Sequence, residues 1–244
     1  MLPEVGCTEA AALYKSSNRE LELGGDWYDL IDRSDNQIVA IVGDVVGHGV
    51  HEIAVMGQLR AAAHALAQTL PEPDEVLNAL ERFAADVPGA RYATCAVLML
   101  DGSTTGRLAL AGHPAPILVR ATGEVELLDA ERGALMCVPG VRVTASFAYD
   151  VGDLIVLYTD GLVERRGTDS DTTARQVGDF VHQHREMPCR DLTHAVMDRF
   201  AGDADDDCVV VVLRPLNHRS PSNELISNMH VLTVGKAVTF GHAV

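Results

Sequence analysis

Nowhere in the chain do about 18 apolar residues follow one another, the length a membrane-crossing helix needs, and the opening MLPEVGCTEA has neither a basic stretch nor an apolar core. Export and membrane spanning therefore lack a signal, and a cytoplasmic protein is expected. Cations are scarce too: 19 Lys and Arg stand against 35 Asp and Glu, a formal charge of −16. A phosphate backbone needs clustered Lys and Arg, so nucleic acid is excluded as a partner class. The five cysteines, Cys7, Cys95, Cys137, Cys189 and Cys208, show no CxxC spacing, which argues against a disulfide framework or a thiolate zinc site. Familiar catalytic signatures are missing as well. No GK[ST] follows the glycines of GDVVGHG, HEIAV lacks the second His of HExxH, and there is no GxSxG. The acidity then has two readings, a soluble surface or a site that divalent cations neutralise.

What the chain does have is material for a core. Its 244 residues are 47% hydrophobic, enough for one large domain or two small ones. The runs QIVAIVG (37–43), DLIVLYT (153–159) and CVVVVLR (208–214) are almost continuously apolar and β-branched, the pattern of strands covered on both faces. Shorter strands are expected at 92–100, 107–112, 114–120, 124–128 and 141–147, so closely spaced that they suggest antiparallel meanders. Ile53, Met56, Leu59, Ala63, Leu66 and Leu70 recur at helical spacing, as do Val76, Leu80, Phe83 and Val87. Between these two helices PEPD (71–74) supplies a proline stop and, in Asp74, a cap for the second. Val177, Val181, Leu192, Val196 and Phe200 mark two more helices before the last strand. Strands, two helices, a strand-rich middle, two helices and a strand fit an α+β layered domain better than βαβ alternation. After Pro215 the periodicity fades, so the expected division is a domain over 1–215 and a tail or linker over 216–244.

Asp44 directly follows one buried run, Asp160 directly follows another, and Asp206 precedes the third. If the last strand runs antiparallel to the other two, all three carboxylates reach the same sheet edge. Asp26 in GGDWYD (24–29) follows the strand-like ELEL, beside glycines that permit close backbone approach. Each has a plain reading: TDG is an ordinary turn, DADDD (203–207) a solvated loop, GDVVGHG a loop feeding a helix. Gathered together, however, two carboxylates about 4 Å apart repel by about 4 kcal/mol at an effective dielectric near 20. Several such pairs would consume much of the roughly 5–15 kcal/mol that holds a domain folded. Either the carboxylates stand apart or cations bind them, and an all-oxygen set suits Mg²⁺ or Mn²⁺. Two such ions can clamp a phosphate and activate a water. Of the histidines, His48 adjoins Asp44 through its glycine loop; His51, His64, His113, His182 and His184 read as surface or packing residues.

GGDWYD, GDVVGHGV (43–50), RYATCAVLMLD (91–101), AGHPAP (111–116), GDLIVLYTDGLVE (152–164) and DDCVVVVLR (206–214) resemble, in order and spacing, the successive motifs of the bacterial SpoIIE/RsbU-like branch of PPM (PP2C-type) serine/threonine phosphatases. The resemblance implies an αββα sandwich, two central, mainly antiparallel sheets flanked by pairs of helices, with two Mn²⁺ or Mg²⁺ ions at one end. It implies that Asp44 bridges both ions, that Asp160 and Asp206 complete one, and that Asp26 with the backbone carbonyl of Val45 serves the other. Asp207 is the lesser candidate of its pair. It further implies hydrolysis of phosphoserine or phosphothreonine on a STAS-type anti-sigma-factor antagonist in a partner-switching pathway, alongside a sensory or kinase-like regulatory domain. The chain departs from eukaryotic relatives in carrying Val45 and Val46 where they have Gly and His, which leaves protonation of the leaving group to His48 or water. GALMCVPGV and the segment 165–180 also depart from the common pattern. The alternatives are a phosphatase-like module that binds a phosphoprotein or regulatory partner with little turnover and, third, a metal-dependent phosphodiesterase.

Overall fold

The computed structural model describes residues 8–17, 23–33, 37–47, 49–102, 104–131, 133–164, 168–201 and 206–216. The three most apolar runs become β3 (Gln37–Asp44), β9 (Leu154–Tyr158) and β10 (Cys208–Pro215). Around β10 and β9 a first sheet forms in the order β1 (Thr8–Lys15), β10, β9, β6 (Ile117–Val119), β7 (Val125–Leu127). A second sheet has the order β2 (Trp27–Arg33), β3, β4 (Thr94–Leu100), β5 (Thr105–Ala111), β8 (Ala145–Ala148). Every neighbouring pair is antiparallel. In the first sheet the register sets Thr8 opposite Pro215 and Lys15 opposite Cys208.

The two-residue period of a strand explains why these runs are apolar throughout. Ile38, Ala40 and Val42 of β3, Ala96, Leu98 and Leu100 of β4 and Val209, Val211 and Leu213 of β10 meet in one core between the sheets. Their alternates face outward onto helices. Val39 and Ile41 pack with Val55, Leu59, Leu77 and Leu80, and Val210 and Val212 pack with Val177, Val181, Leu192 and Val196. The layers are thus helix pair, sheet, sheet, helix pair: the expected αββα sandwich. Among the described residues no helix is long and apolar enough to cross a membrane.

α1 (Val50–Ala67) buries Val55, Leu59, Ala63 and Ala67, a stripe of step four. Ile53, Met56 and Leu66 flank that stripe half-buried, one position round from where the sequence pattern centres it. α2 (Pro73–Ala84) begins on Pro73, whose missing N–H is harmless in a first turn. That places Glu72 at the cap position, without a side-chain cap, so Asp74 is not the cap the sequence suggests. Asp74 instead receives the Thr144 hydroxyl at 2.5 Å while its own N–H donates back to Thr144 Oγ1 at 3.1 Å. α3 (Ser170–Gln183) does carry a cap, Asp169 accepting from Thr172 N at 2.9 Å. α4 (Cys189–Phe200) buries Leu192, Val196 and Phe200 as expected.

Three strand expectations need correction. The strand anticipated over 141–147 survives only as β8, because the buried Arg142 turns its guanidinium to Glu81 (2.5 and 3.2 Å) and to the carbonyls of Ala134 and Leu135 (3.3 Å). β1 and β2 had no counterpart in the sequence reading. Of ELEL, Leu23 lies in no strand and residues 20–22 fall outside the described residues. Asp26 therefore precedes a strand, β2, rather than following one. The anticipated tail beyond residue 216 also falls outside the described residues.

Candidate metal centre

Asp44 is the last residue of β3 and stands opposite Thr94, the first residue of β4. Trp27, first in β2, pairs with Gly43, which brings Asp26 beside the same end. In the other sheet Tyr158 closes β9, and Asp160 opens a 3-10 turn, Asp160–Leu162. Antiparallel to β9, β10 starts with Cys208 just after Asp206 and Asp207. The three strands expected to share one sheet edge belong instead to two facing sheets, and their carboxylates meet at one end of the sandwich. Two bonds cross between the sheets there: Thr159 Oγ1 donates to Asp26 Oδ2 at 2.6 Å, and Gly25 N–H donates to Asp207 Oδ2 at 3.1 Å.

Crowding shows in the acidities. Burial first, and then the charge of Asp44, hold the Asp26 carboxyl well above the ordinary range, and the two side chains are within hydrogen-bonding reach of each other. Asp44 is raised too, by burial first; the bond from Asp26 works against the rise, while Asp206, Asp207 and Glu164 add like charge. Asp160 is pushed up to about 7 by burial and then by Asp44, Glu164 and Asp206. Carboxyls that resist ionisation for want of a counter-charge, with oxygen as the only donor atom, have the chemistry of a hard divalent-cation site. Among the described residues no three His, Cys, Asp or Glu side chains are already drawn round one point. The donor set fits Mg²⁺ or Mn²⁺ by chemistry and place.

The other expected residues divide clearly. Val45 is buried and its N–H donates to Gly25 O at 3.2 Å. Its carbonyl lies across from Gly25, where a Cβ would come within 2.4 Å of it and 3.3 Å of Asp44 Oδ1, so only glycine fits. Asp206 is exposed and acts electrostatically on Asp44 and Asp160. Asp207 is buried and already occupied: Ser17 N (2.8 Å), Ser17 Oγ (3.0 Å) and Ser16 Oγ (3.3 Å) donate to one oxygen and Gly25 N to the other. A Cβ on Gly24 would fall 1.4 Å from that second oxygen, which accounts for the paired glycines before Asp26. His48 falls outside the described residues. The sequence reading missed Thr159, Glu164 and the fastening role of Asp207; TDGLVE (159–164) and DADDD held them in plain sight, without a sign of which atoms they would meet.

Known proteins share this arrangement of the chain. The family profile for Stage II sporulation protein E (SpoIIE) matches residues 34–215. The phosphoserine phosphatase RsbP of Bacillus subtilis (strain 168) is 23% identical over 208 residues, 80% of this chain and 50% of RsbP, so the chain spans about half the length of that curated relative. Among solved structures, the RsbU and RsbW domains of Rv1364c from Mycobacterium tuberculosis superpose with a TM-score of 0.83 at 30% identity, covering 90% of this chain and 63% of that one. The PP2C phosphatase domain of SpoIIE from Bacillus subtilis, solved with a fragment of its regulatory domain, gives a TM-score of 0.72 at 14% identity over 87% of this chain and 64% of that one. At that identity the likeness speaks for the fold alone, whereas the profile match spans the greater part of the chain, from β3 to β10, and on that ground this chain belongs to the SpoIIE family.

Proposed function

We propose that the chain is a metal-dependent serine/threonine protein phosphatase, releasing phosphate from phosphoserine or phosphothreonine with two Mn²⁺ or Mg²⁺ ions. The observation that carries this reading is the meeting of Asp26, Asp44, Asp160 and Asp206 at one end of the sandwich, short of counter-charge. Asp44, which interacts with Asp26, Asp160 and Asp206 alike, suits both ions. Asp160 and Asp206 then serve one, Asp26 and the Val45 carbonyl the other. Bound there, the ions supply neutralisation of a phosphoryl group and activation of a water. The chain contributes the donor set and the grip of Asp207 on Gly25, whose carbonyl accepts from Val45 N–H. His48 is the side chain we assign to protonating the leaving group. Among the described residues a thiolate mechanism is disfavoured, since burial pushes the thiols of Cys95, Cys137, Cys189 and Cys208 upward.

The substrate we propose is a phosphorylated STAS-domain anti-sigma-factor antagonist in a cytoplasmic partner-switching pathway, with a sensory or kinase-like domain as regulator. In support, RsbP is described as a phosphoserine phosphatase, and the Mycobacterium protein joins an RsbU to an RsbW domain. Because chain and substrate are both taken to be acidic, recognition rests on protein surface more than on net charge. The test begins with p-nitrophenyl phosphate turnover in EDTA, Mg²⁺ and Mn²⁺, expected only with metal. It continues with catalytic efficiency on an intact phosphorylated STAS protein, its short phosphopeptide and a phosphotyrosine peptide, of which the intact protein is expected to be clearly best. Equal efficiency on all three sinks the surface argument. No release from any of them with Mn²⁺ bound favours the rival reading, a catalytically weak binding module.

A further inference from the structure

His113 follows β5 in the AGHPAP loop and is 1% exposed. Its Nε2 lies 3.1 Å from Tyr158 O, and its Nδ1 lies 2.8 Å from Thr94 Oγ1. A carbonyl oxygen only accepts, so Nε2 carries the hydrogen; Nδ1 then has the lone pair, and the Thr94 hydroxyl donates to it. Both partners are informative. Thr94 is the residue opposite Asp44 in the β3–β4 ladder, whereas Tyr158 is the last residue of β9, next to Thr159, which binds Asp26, and one before Asp160 in turn. The ring therefore spans from one sheet to the other beneath the carboxylates. The loop that carries it is itself fastened, Tyr158 donating its hydroxyl to Ala115 O at 2.9 Å and Gly112 bridging to Cys95.

We propose that His113 is a positioning residue that sets the separation between the Asp44 end of one sheet and the Asp26–Thr159–Asp160 end of the other, and thereby the spacing of the cation ligands. This rests on the metal-site reading above. An imidazole suits the position because it is rigid and offers a donor and an acceptor at opposite corners of one ring, so the Thr94 side chain of β4 and the Tyr158 carbonyl of β9 are held at a fixed distance. Burial lowers its pKa to about 4, so the ring is neutral and both bonds persist at neutral pH. A group that only filled space there would need neither nitrogen.

The test compares wild type with His113→Leu, His113→Gln and Thr94→Val. Circular dichroism and thermal unfolding in EDTA establish folding, and Mn²⁺ affinity is read from the free-ion signal in electron paramagnetic resonance. Loss of a direct hydrogen-bond partner of a metal ligand weakens metal binding by about 10–100-fold, and His113, one bond further out, falls at or below the low end of that range. For His113→Leu a weakening of about tenfold is expected, less for Thr94→Val. His113→Gln, whose amide can reach Tyr158 O, recovers most of the affinity. A purely structural role lowers the unfolding midpoint and leaves the Mn²⁺ dissociation constant where it was. Folded His113→Leu and Thr94→Val proteins with wild-type affinity overturn the proposal. If His113→Leu does not fold, Thr94→Val decides alone, unchanged affinity counting against. Wild-type protein that binds no Mn²⁺ overturns the metal site first and this inference with it, whereas wild-type binding with unaltered variants overturns this inference only.

Discussion

Replacing Thr159 with valine keeps nearly the same shape and removes one hydroxyl, which serves both sheets. Fully buried, that hydroxyl donates to Asp26 Oδ2 at 2.6 Å and accepts from Val209 N at 2.8 Å. Without it the Val209 N–H is left buried and unpaired, at about 1–3 kcal/mol, and Asp26 loses a bond worth about 1 kcal/mol net. The added methyl returns at most about 0.8 kcal/mol. A loss of about 2–3 kcal/mol is expected, a fall in the unfolding midpoint of about 5–10 °C for a domain of this size. There is a second, electrostatic effect. The Thr159 bond draws the Asp26 carboxyl down against the burial that raises it, so in the variant protons compete harder with Mn²⁺. Affinity should drop severalfold at pH 7, with the gap narrowing at pH 9, where the competing proton is scarce. Urea unfolding and Mn²⁺ titration at both pH values measure the two effects, with Thr159→Ser as the control that keeps both bonds. A valine variant within about 0.5 kcal/mol of wild type and unchanged in Mn²⁺ affinity refutes the account of this hydroxyl.

Stability should respond to pH and metal together. With the Asp160 carboxyl raised to about 7 in the fold, the folded state holds a proton that the unfolded chain, near 3.9, has released. Its destabilising charge is absent below pH 4 and complete above pH 7, so the melting temperature in EDTA should fall between pH 5.5 and 8. Saturating Mn²⁺ should restore it most at pH 8, by about 2.7 kcal/mol at a hundredfold excess over the dissociation constant; a metal increment equal at both pH values argues against the site. Asp44→Asn and Asp160→Asn should abolish turnover yet melt in EDTA no lower than wild type, because each removes a repelled charge. Wild-type turnover in both, at matched metal, removes them from the site. Deleting residues 217–244 should leave phosphatase activity intact, because the described fold closes with β10; loss of activity together with soluble yield would assign the tail to the core.

The aspartates that matter most could be read from the sequence because they end the most apolar runs, and a run covered on both faces announces itself by composition. Asp26 was found by its glycines and placed after the wrong strand. β2, WYDLIDR, mixes polar residues into both faces, and β1 is rich in alanine, which favours no strand. The partners of the carboxylates were illegible for a different reason. Thr159, Asp207 and His113 act across sheets, on atoms between 45 and 182 residues away, and no local pattern encodes what a second layer will bring opposite. Asp74 shows the same limit: Pro73 starts the helix two positions earlier than a cap at Asp74 would, and Thr144, brought in by the distant β8 segment, claims its carboxylate.

The pairing of Thr8 with Pro215 has a consequence for anything joined to this fold. Chain entering at β1 and chain leaving at β10 share one doorway, about 25 Å from the carboxylates for strands of this length. A neighbouring domain tethered by a short leash on either side hangs from the rear of the sandwich. To influence the front it must either fold back along the outside or push on the paired strands themselves, which run from the doorway to the site as a single two-stranded lever. The same doorway makes the fold a natural candidate for circular permutation, since a short bridge from residue 215 to residue 8 would leave both sheets whole.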